Sequence, residues 1–223
     1  MISGCRERKE KVMKKKKIAG VVLAAVTALC FTACGGFSAE DASAYVKSAL
    51  DAEYKAEFDE YIKQTDSTQE EAEAMYQQGL DTVTSGFGLD SLGISDELAA
   101  QYRDVAADLL ALAKYEVKDA VEDGDGYAVE VSYEPYIGAQ TLDHDLNAAL
   151  EEITASISDV QSEEELNEMV FQKVLEILQQ KVAEPEYGEA ETYTIHVTKG
   201  SDNVYSISQD DLVGLDYAMF PSE

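Results

Sequence analysis

The side chains of this 223-residue chain best suited to chemistry are 45 carboxylates, two histidines, three cysteines and thirteen tyrosines. Asp123-Gly124-Asp125-Gly126 offers oxygen ligands to a hard cation such as calcium. A wrapped calcium loop needs further ligands, yet Tyr127 stands at its fifth position and strand-like alternation begins there, so the four residues predict a hairpin turn. Asp143-His144-Asp145 is the densest ligand-like triplet. Neighbours at a helix start diverge by about 100°, so the three cannot converge on one ion. His196 alternates away from Tyr193, Ile195 and Val197, which predicts a surface strand residue rather than a general base. No Gly-x-Ser-x-Gly elbow supports a Ser-His-Asp set. Paired carboxylates for glycoside hydrolysis need a set separation in space, which so many acidic residues meet by chance. No catalytic residue, metal site or cofactor is therefore assigned. Tyr45, Tyr54, Tyr61, Tyr76 and Tyr102 lie along helical stripes, where they read as a core rim or, alternatively, as a binding groove.

Cys34 is the cysteine with a readable context. Lys14 to Lys17 form a positive stretch, Ile18 to Phe31 a short apolar run, and Thr32 and Ala33 the small residues of a cleavage site. The run is shorter than the roughly 20 residues that span a bilayer, so residues 1–33 read as an export leader cut between Ala33 and Cys34. The codon-like run Arg6–Lys11 resembles a purine-rich ribosome-binding stretch, which points to Met13 as the true start. Phe31-Thr32-Ala33-Cys34 resembles the lipobox of bacterial lipoprotein precursors, with Phe31 where leucine is usual. The resemblance implies that Cys34 receives a diacylglyceryl group and becomes the new N-terminus. Two acyl chains suffice for stable anchoring where one does not. Residues 34–38 then form the lipidated cysteine and a short flexible tether, and residues 39–223 a single domain.

Leader removal sharpens the charge. The whole chain carries −28; without residues 1–33, nine basic side chains face 43 acidic ones, a net of −34. Nucleic acid is excluded as a natural partner, because binding it requires neutralised phosphates. An anionic membrane surface repels such a domain too, so membrane contact falls to the lipid on Cys34. The acidity reads as solubility or, alternatively, as fit to a cationic partner. Cys5 and Cys30 fall in the leader, so the domain depends on its core rather than on disulfides.

The elements follow from periodicity and caps. Ser38 with Asp41 opens a helix whose stripe runs from Ala42 to Ile62, and Ser67 with Glu70 or Thr68 with Glu71 opens a second. Ser95 opens a third, lined by Leu98, Tyr102, Val105, Leu109 and Leu112. The period then changes to two. Tyr115, Val117 and Val121 share a face, answered across the turn by Tyr127, Val129, Val131 and Tyr133. Two helices follow, Leu142–Ile157 and one capped by Ser162 with Glu165, and then a hairpin turning at Gly200–Asn203. A short segment with Leu212, Leu215, Met219 and Phe220 packs back. The class is α+β: about five helices on a small antiparallel sheet of two hairpins, in the order helices, hairpin, helices, hairpin.

Asp41-Ala42-Ser43-Ala44-Tyr45-Val46 and Leu50-Asp51-Ala52-Glu53-Tyr54-Lys55 resemble the first helix of small lipoproteins from Gram-positive gut bacteria. Thr68–Glu73, Ile94–Leu98 and Lys114–Val117 extend the likeness to the first hairpin. That family is uncharacterised, so the resemblance implies location and domain type but no active site. The expectation is a lipid-anchored protein on the outer face of the cell membrane: a non-catalytic binding or interaction module for a protein, glycan or cationic partner. The alternatives are an envelope glycan hydrolase working through carboxylates and the solute-binding component of a transporter.

Overall fold

The computed structural model describes residues 29–30, 36–87, 94–156, 162–200 and 204–221. Lys14–Lys17, Phe31, Thr32, Ala33, Cys34 and Gly35 lie outside the described residues, as do the Met13 start, Ile157 and turn residues 201–203.

The α+β class is as expected. Among the described residues, seven α-helices accompany one antiparallel sheet: α1 (Ala39–Lys55), α2 (Asp59–Thr65), α3 (Gln69–Gly86), α4 (Asp96–Ala111), α5 (Leu142–Ser156), α6 (Glu163–Ala183) and α7 (Gln209–Met219). The strands are β1 (Leu29–Cys30), β2 (Lys114–Val117), β3 (Val121–Asp123), β4 (Gly126–Glu134), β5 (Glu191–Lys199) and β6 (Val204–Ile207). Their order is β1-β6-β5-β4-β2, with β3 also paired to β4. The inner face of the sheet carries Val129, Val131, Tyr133, Ile195 and Val197, all buried against α1 and α7. The outer face carries Glu130, Thr192, Thr194 and Thr198, all exposed.

The helix starts are where the caps put them. Ser38 and Asp41 close a reciprocal capping box on α1, and Thr68 with Glu71, not Ser67 with Glu70, does so on α3. Ser95 caps α4, and its own N–H and hydroxyl donate to Glu168 of α6 at 3.1 and 2.6 Å. That contact adds to a core of Leu98, Tyr102, Val105, Leu175 and Leu178 between α4 and α6.

Three details differ from the sequence reading. The stripe from Ala42 to Ile62 is not one helix. Ala56 adopts the left-handed conformation (φ 54°) and ends α1, its N–H returning to the Asp51 carbonyl. The chain then turns so that Tyr61 of α2 packs with Ala52, Ala72 and Met75. The C-terminal segment forms the complete helix α7, which with the divided first helix raises the count among the described residues from five to seven.

The first hairpin also holds a bulge. Val117 pairs with Val131, but Val121 pairs with Ala128, so residues 118–120 carry one residue more than the β4 segment they oppose. Lys118 N–H still reaches the Glu130 carbonyl at 2.8 Å, and Ala120 N–H donates to Ser43 Oγ of α1 at 2.8 Å. One inserted residue reverses every side chain beyond it. Val121 therefore faces solvent, 62% exposed, instead of joining Tyr115 and Val117.

The predicted turn at Asp123–Gly126 is present, with Gly124 at φ 59°. Gly126 is confined for another reason: a Cβ there would stand 2.2 Å from the Val197 carbonyl oxygen, on the backbone of β5. Gly126→Ala is expected to force β4 from β5 and cost about 1–3 kcal/mol or more. Gly124→Ala, in open space, is expected to cost about 1 kcal/mol through its positive φ alone. Urea denaturation of both variants checks the order.

Candidate functional site

Two polar constellations stand out. The first joins α1, β2 and α7. Asp51, one turn before the end of α1, accepts from Lys47 and Lys55 a turn to either side, the latter at 3.0 Å, and from the Tyr115 hydroxyl of β2 at 2.7 Å. Lys55 also lies 4.3 Å from the centre of the Tyr115 ring. Burial pushes the Asp51 carboxyl up, but the bonds from Lys47, Tyr115 and Lys55 outweigh it and hold the group below its usual range. Burial, aided by the Asp51 bond, drives the Tyr115 hydroxyl far up.

Three residues on, Tyr54 donates its hydroxyl to Oδ1 of Asp216, in the last turn of α7. Both side chains are buried, and among the described residues Asp216 Oδ2 has no hydrogen-bond partner. Burial pushes the Asp216 carboxyl up to about 7, and the Tyr54 bond only partly offsets it. Glu53 is buried beside Tyr54. The Asp216 carboxyl thus titrates near neutrality but is closed to solvent. Its position suits a clasp between α1 and α7, not a reagent for a dissolved substrate.

The second constellation sits at the tip of the first hairpin. His196 of β5 opposes Ala128 of β4 on the outer face. Its Nδ1 lies 2.7 Å from Asp211 Oδ2, which also accepts the His196 backbone N–H at 2.9 Å. Asp211 belongs to the first turn of α7, where Ser208 caps the helix by accepting its N–H. A carboxylate only accepts, so Nδ1 is the donor to Asp211 and Nε2 is the ring nitrogen turned to the outer surface. Nε2 lies 3.8 Å from Asp123 Oδ2. Asp123, Asp125, Tyr127, His196, Thr198 and Lys199 line an open surface pocket of about 140 Å³ there. A His–Asp pair can relay a proton, but Nε2 faces a carboxylate where nucleophilic catalysis needs a hydroxyl or thiol. Among the described residues, no group of three His, Cys, Asp or Glu side chains is placed to hold a metal ion.

The other singled-out residues are dispersed. Asp145 pairs with Lys181 at 2.7 Å, which also donates to Thr141 at 2.6 Å, while His144 is exposed; of Asp143 only the backbone is described. Tyr45, Tyr54, Tyr61 and Tyr102 are buried within the cores rather than at their rim, and Tyr76 is half-buried. The Tyr102 hydroxyl donates to the Phe171 carbonyl at 2.8 Å, and Tyr61 reaches Met75 Sδ at 3.5 Å. These five do not form an open groove.

Sequence reasoning passed over Asp216 and Asp211, although each left a trace. Asp216 falls four residues after Leu212 on the buried stripe that includes Leu215 and Met219, an unusual place for a carboxylate. Ser208 and Asp211 stand at the spacing of an N-cap pair.

No protein family matches the chain, and no curated protein matches it either. Among solved structures it is similar to that of a candidate lipoprotein (ycdA) from Bacillus subtilis subsp. subtilis str. 168. The TM-score is 0.57 at 14% identity, over 81% of this chain and 56% of the other. The chain therefore spans just over half the length of that protein, and the likeness is one of fold.

Proposed function

We propose that this chain is a lipid-anchored protein of the outer face of the cell membrane, acting as a non-catalytic interaction module. The observation that carries the reading is how soon after Cys34 a buried side chain and a helix cap stand. Phe37, three residues after Cys34, is buried and stacks on Tyr205 with ring centres 4.1 Å apart, and Ser38 already caps α1. Of the expected tether, only Gly35 and Gly36 separate the lipidated cysteine from the domain. Such a joint holds the domain against the membrane, where a diffusible partner must come to it.

Three further features support the reading. Among the described residues no helix is long and apolar enough to cross a membrane. The structural likeness is to a candidate lipoprotein. The two polar constellations bind helices to the sheet: Asp51 and Asp216 link α1 to β2 and α7, and Asp211 links α7 to β5. The test is proximity labelling from the anchored protein in its native envelope. The expected result is a small, reproducible set of neighbours. Labelling of bulk wall material alone contradicts the interaction role.

A further inference from the structure

The two edges of the sheet are built differently. At one edge, β2 carries Lys114 and Glu116, and the bulge at residues 118–120 with Lys118 follows it. Charge and a bulge are the features by which proteins keep an edge strand from pairing with another chain. Toward the other edge, where only the two residues of β1 lie outside it, β6 reads Val204-Tyr205-Ser206-Ile207, without charge, proline or bulge, and its register to β5 is unbroken.

That edge has a definite polarity. Gly200 N–H donates to the Val204 carbonyl and Ser208 N–H to the His196 carbonyl, so positions 204, 206 and 208 face β5. Tyr205 and Ile207 therefore turn their own N–H and C=O outward. There β1 pairs antiparallel, Leu29 opposite Tyr205 and Cys30 opposite Val204, while also touching α2. The slot between β6 and α2 thus accepts an extended segment. The stretch around β1, Val21 to Ala33, contains no charged residue.

Leu29 and Cys30 belong to the export leader, which is removed before Cys34 on the reading given above. The mature protein then keeps the slot without its own strand. From this we infer that the β6 edge of the mature lipoprotein is a strand-acceptor site, filled by an uncharged, apolar, extended segment of another polypeptide through antiparallel sheet addition. A second copy of this chain is the poorer occupant, because pairing two bodies of net charge −34 brings strong like-charge repulsion. The site lies beside the proposed anchor: Phe37 stacks on Tyr205, so an added strand would run against the first described residues after Cys34. The inference rests on removal of the leader and names the partner chemistry for the interaction role.

The test uses the processed lipoprotein purified in detergent micelles, with the intact mass first read to establish that the chain starts at Cys34. A capped peptide of residues 26–32 is the probe, and amide hydrogen exchange is the readout. Expected is slowing of exchange at Tyr205 and Ile207 by about tenfold or more on addition of peptide, as ladder bonds close those amides. The same peptide N-methylated at Leu29 should give no slowing. Three outcomes overturn the inference. One is no slowing at saturating peptide, and another is equal slowing by the methylated peptide. The third is protection of both amides before peptide is added that grows with protein concentration, which would put a second copy on the edge. A mass that still includes the leader refutes the processing step instead, and is read before any peptide is added.

Discussion

Asp216→Asn is expected to remove much of the pH dependence of stability between about pH 4 and pH 7, and to stabilise the protein above that window. The unfolded carboxyl titrates near 3.8 and the folded one near 7, so the folded state binds the proton more tightly. Between those values folding takes up a proton. The contribution of Asp216 is fully present below the lower value, declines as pH rises toward 7 and is lost above it. From pH 5 to pH 8 this amounts to about 2–3 kcal/mol, or roughly 5–10 °C in melting temperature for a chain of this size. Asparagine keeps an oxygen to accept the Tyr54 hydroxyl and cannot ionise. Other carboxylates titrate in both proteins. Asp51, held low by its lysines and Tyr115, works in the opposite sense at more acid pH, so the informative quantity is the difference between wild type and variant. Melting curves at pH 5 and pH 8 measure it. Parallel pH profiles would show that Asp216 is neutral or solvated in both states.

The reason for the effect is positional. α7 is the last described element, and Asp216 in its final turn is held to α1 by a contact spanning 162 residues. Its C-terminal end is held by Tyr136 N–H donating to the Met219 carbonyl at 2.7 Å. Ionisation of Asp216 places a charge inside the apolar surface that holds α7, among Leu212, Leu215 and Met219.

Local chemistry made most of the fold legible. Ser38 with Asp41, Thr68 with Glu71, and the turn at Asp123–Gly126 announce their elements because each signal is complete within four residues. The period of two from Tyr127 to Tyr133 survives because one face meets the core and the other meets water. What stayed hidden depends on distant partners. Ala56 is an unremarkable residue for a helix, and its left-handed turn reflects how α2 must swing to pack Tyr61 against α3. The bulge before Val121 is stabilised by Ser43, 77 residues away from the amide it accepts. Leu98 and Leu178 each stand on a helical stripe, but their meeting between α4 and α6 is a property of the assembled chain.

The candidate site was less legible for the same reason. His196 was readable as an outer-face residue from alternation alone, and it is half-exposed there. Its partner Asp211 arrives from α7, and Asp123 from the opposite hairpin, so neither could be paired with it by spacing. The tyrosines were open to two readings because Tyr suits a core and an interface alike. Burial decides between them for Tyr45, Tyr54, Tyr61 and Tyr102.

The second large effect concerns the anchor. Each methylene of a buried acyl chain adds about 0.8 kcal/mol of membrane affinity, so the two chains proposed for Cys34 would outweigh the repulsion between a domain of net charge −34 and an anionic surface. Cys34→Ala removes the acceptor sulfur while leaving Phe37, buried three residues on, and the helix it precedes in place. The variant is expected to persist as the longer precursor with its leader attached. Metabolic labelling of the native host with radiolabelled palmitate, comparing wild type with Cys34→Ala, tests this most directly. The account predicts a labelled, shortened, membrane-bound wild-type protein and an unlabelled, full-length variant. Label retained by the variant, or an unlabelled wild-type protein recovered from the cytosol with its lysine-rich start intact, would contradict it.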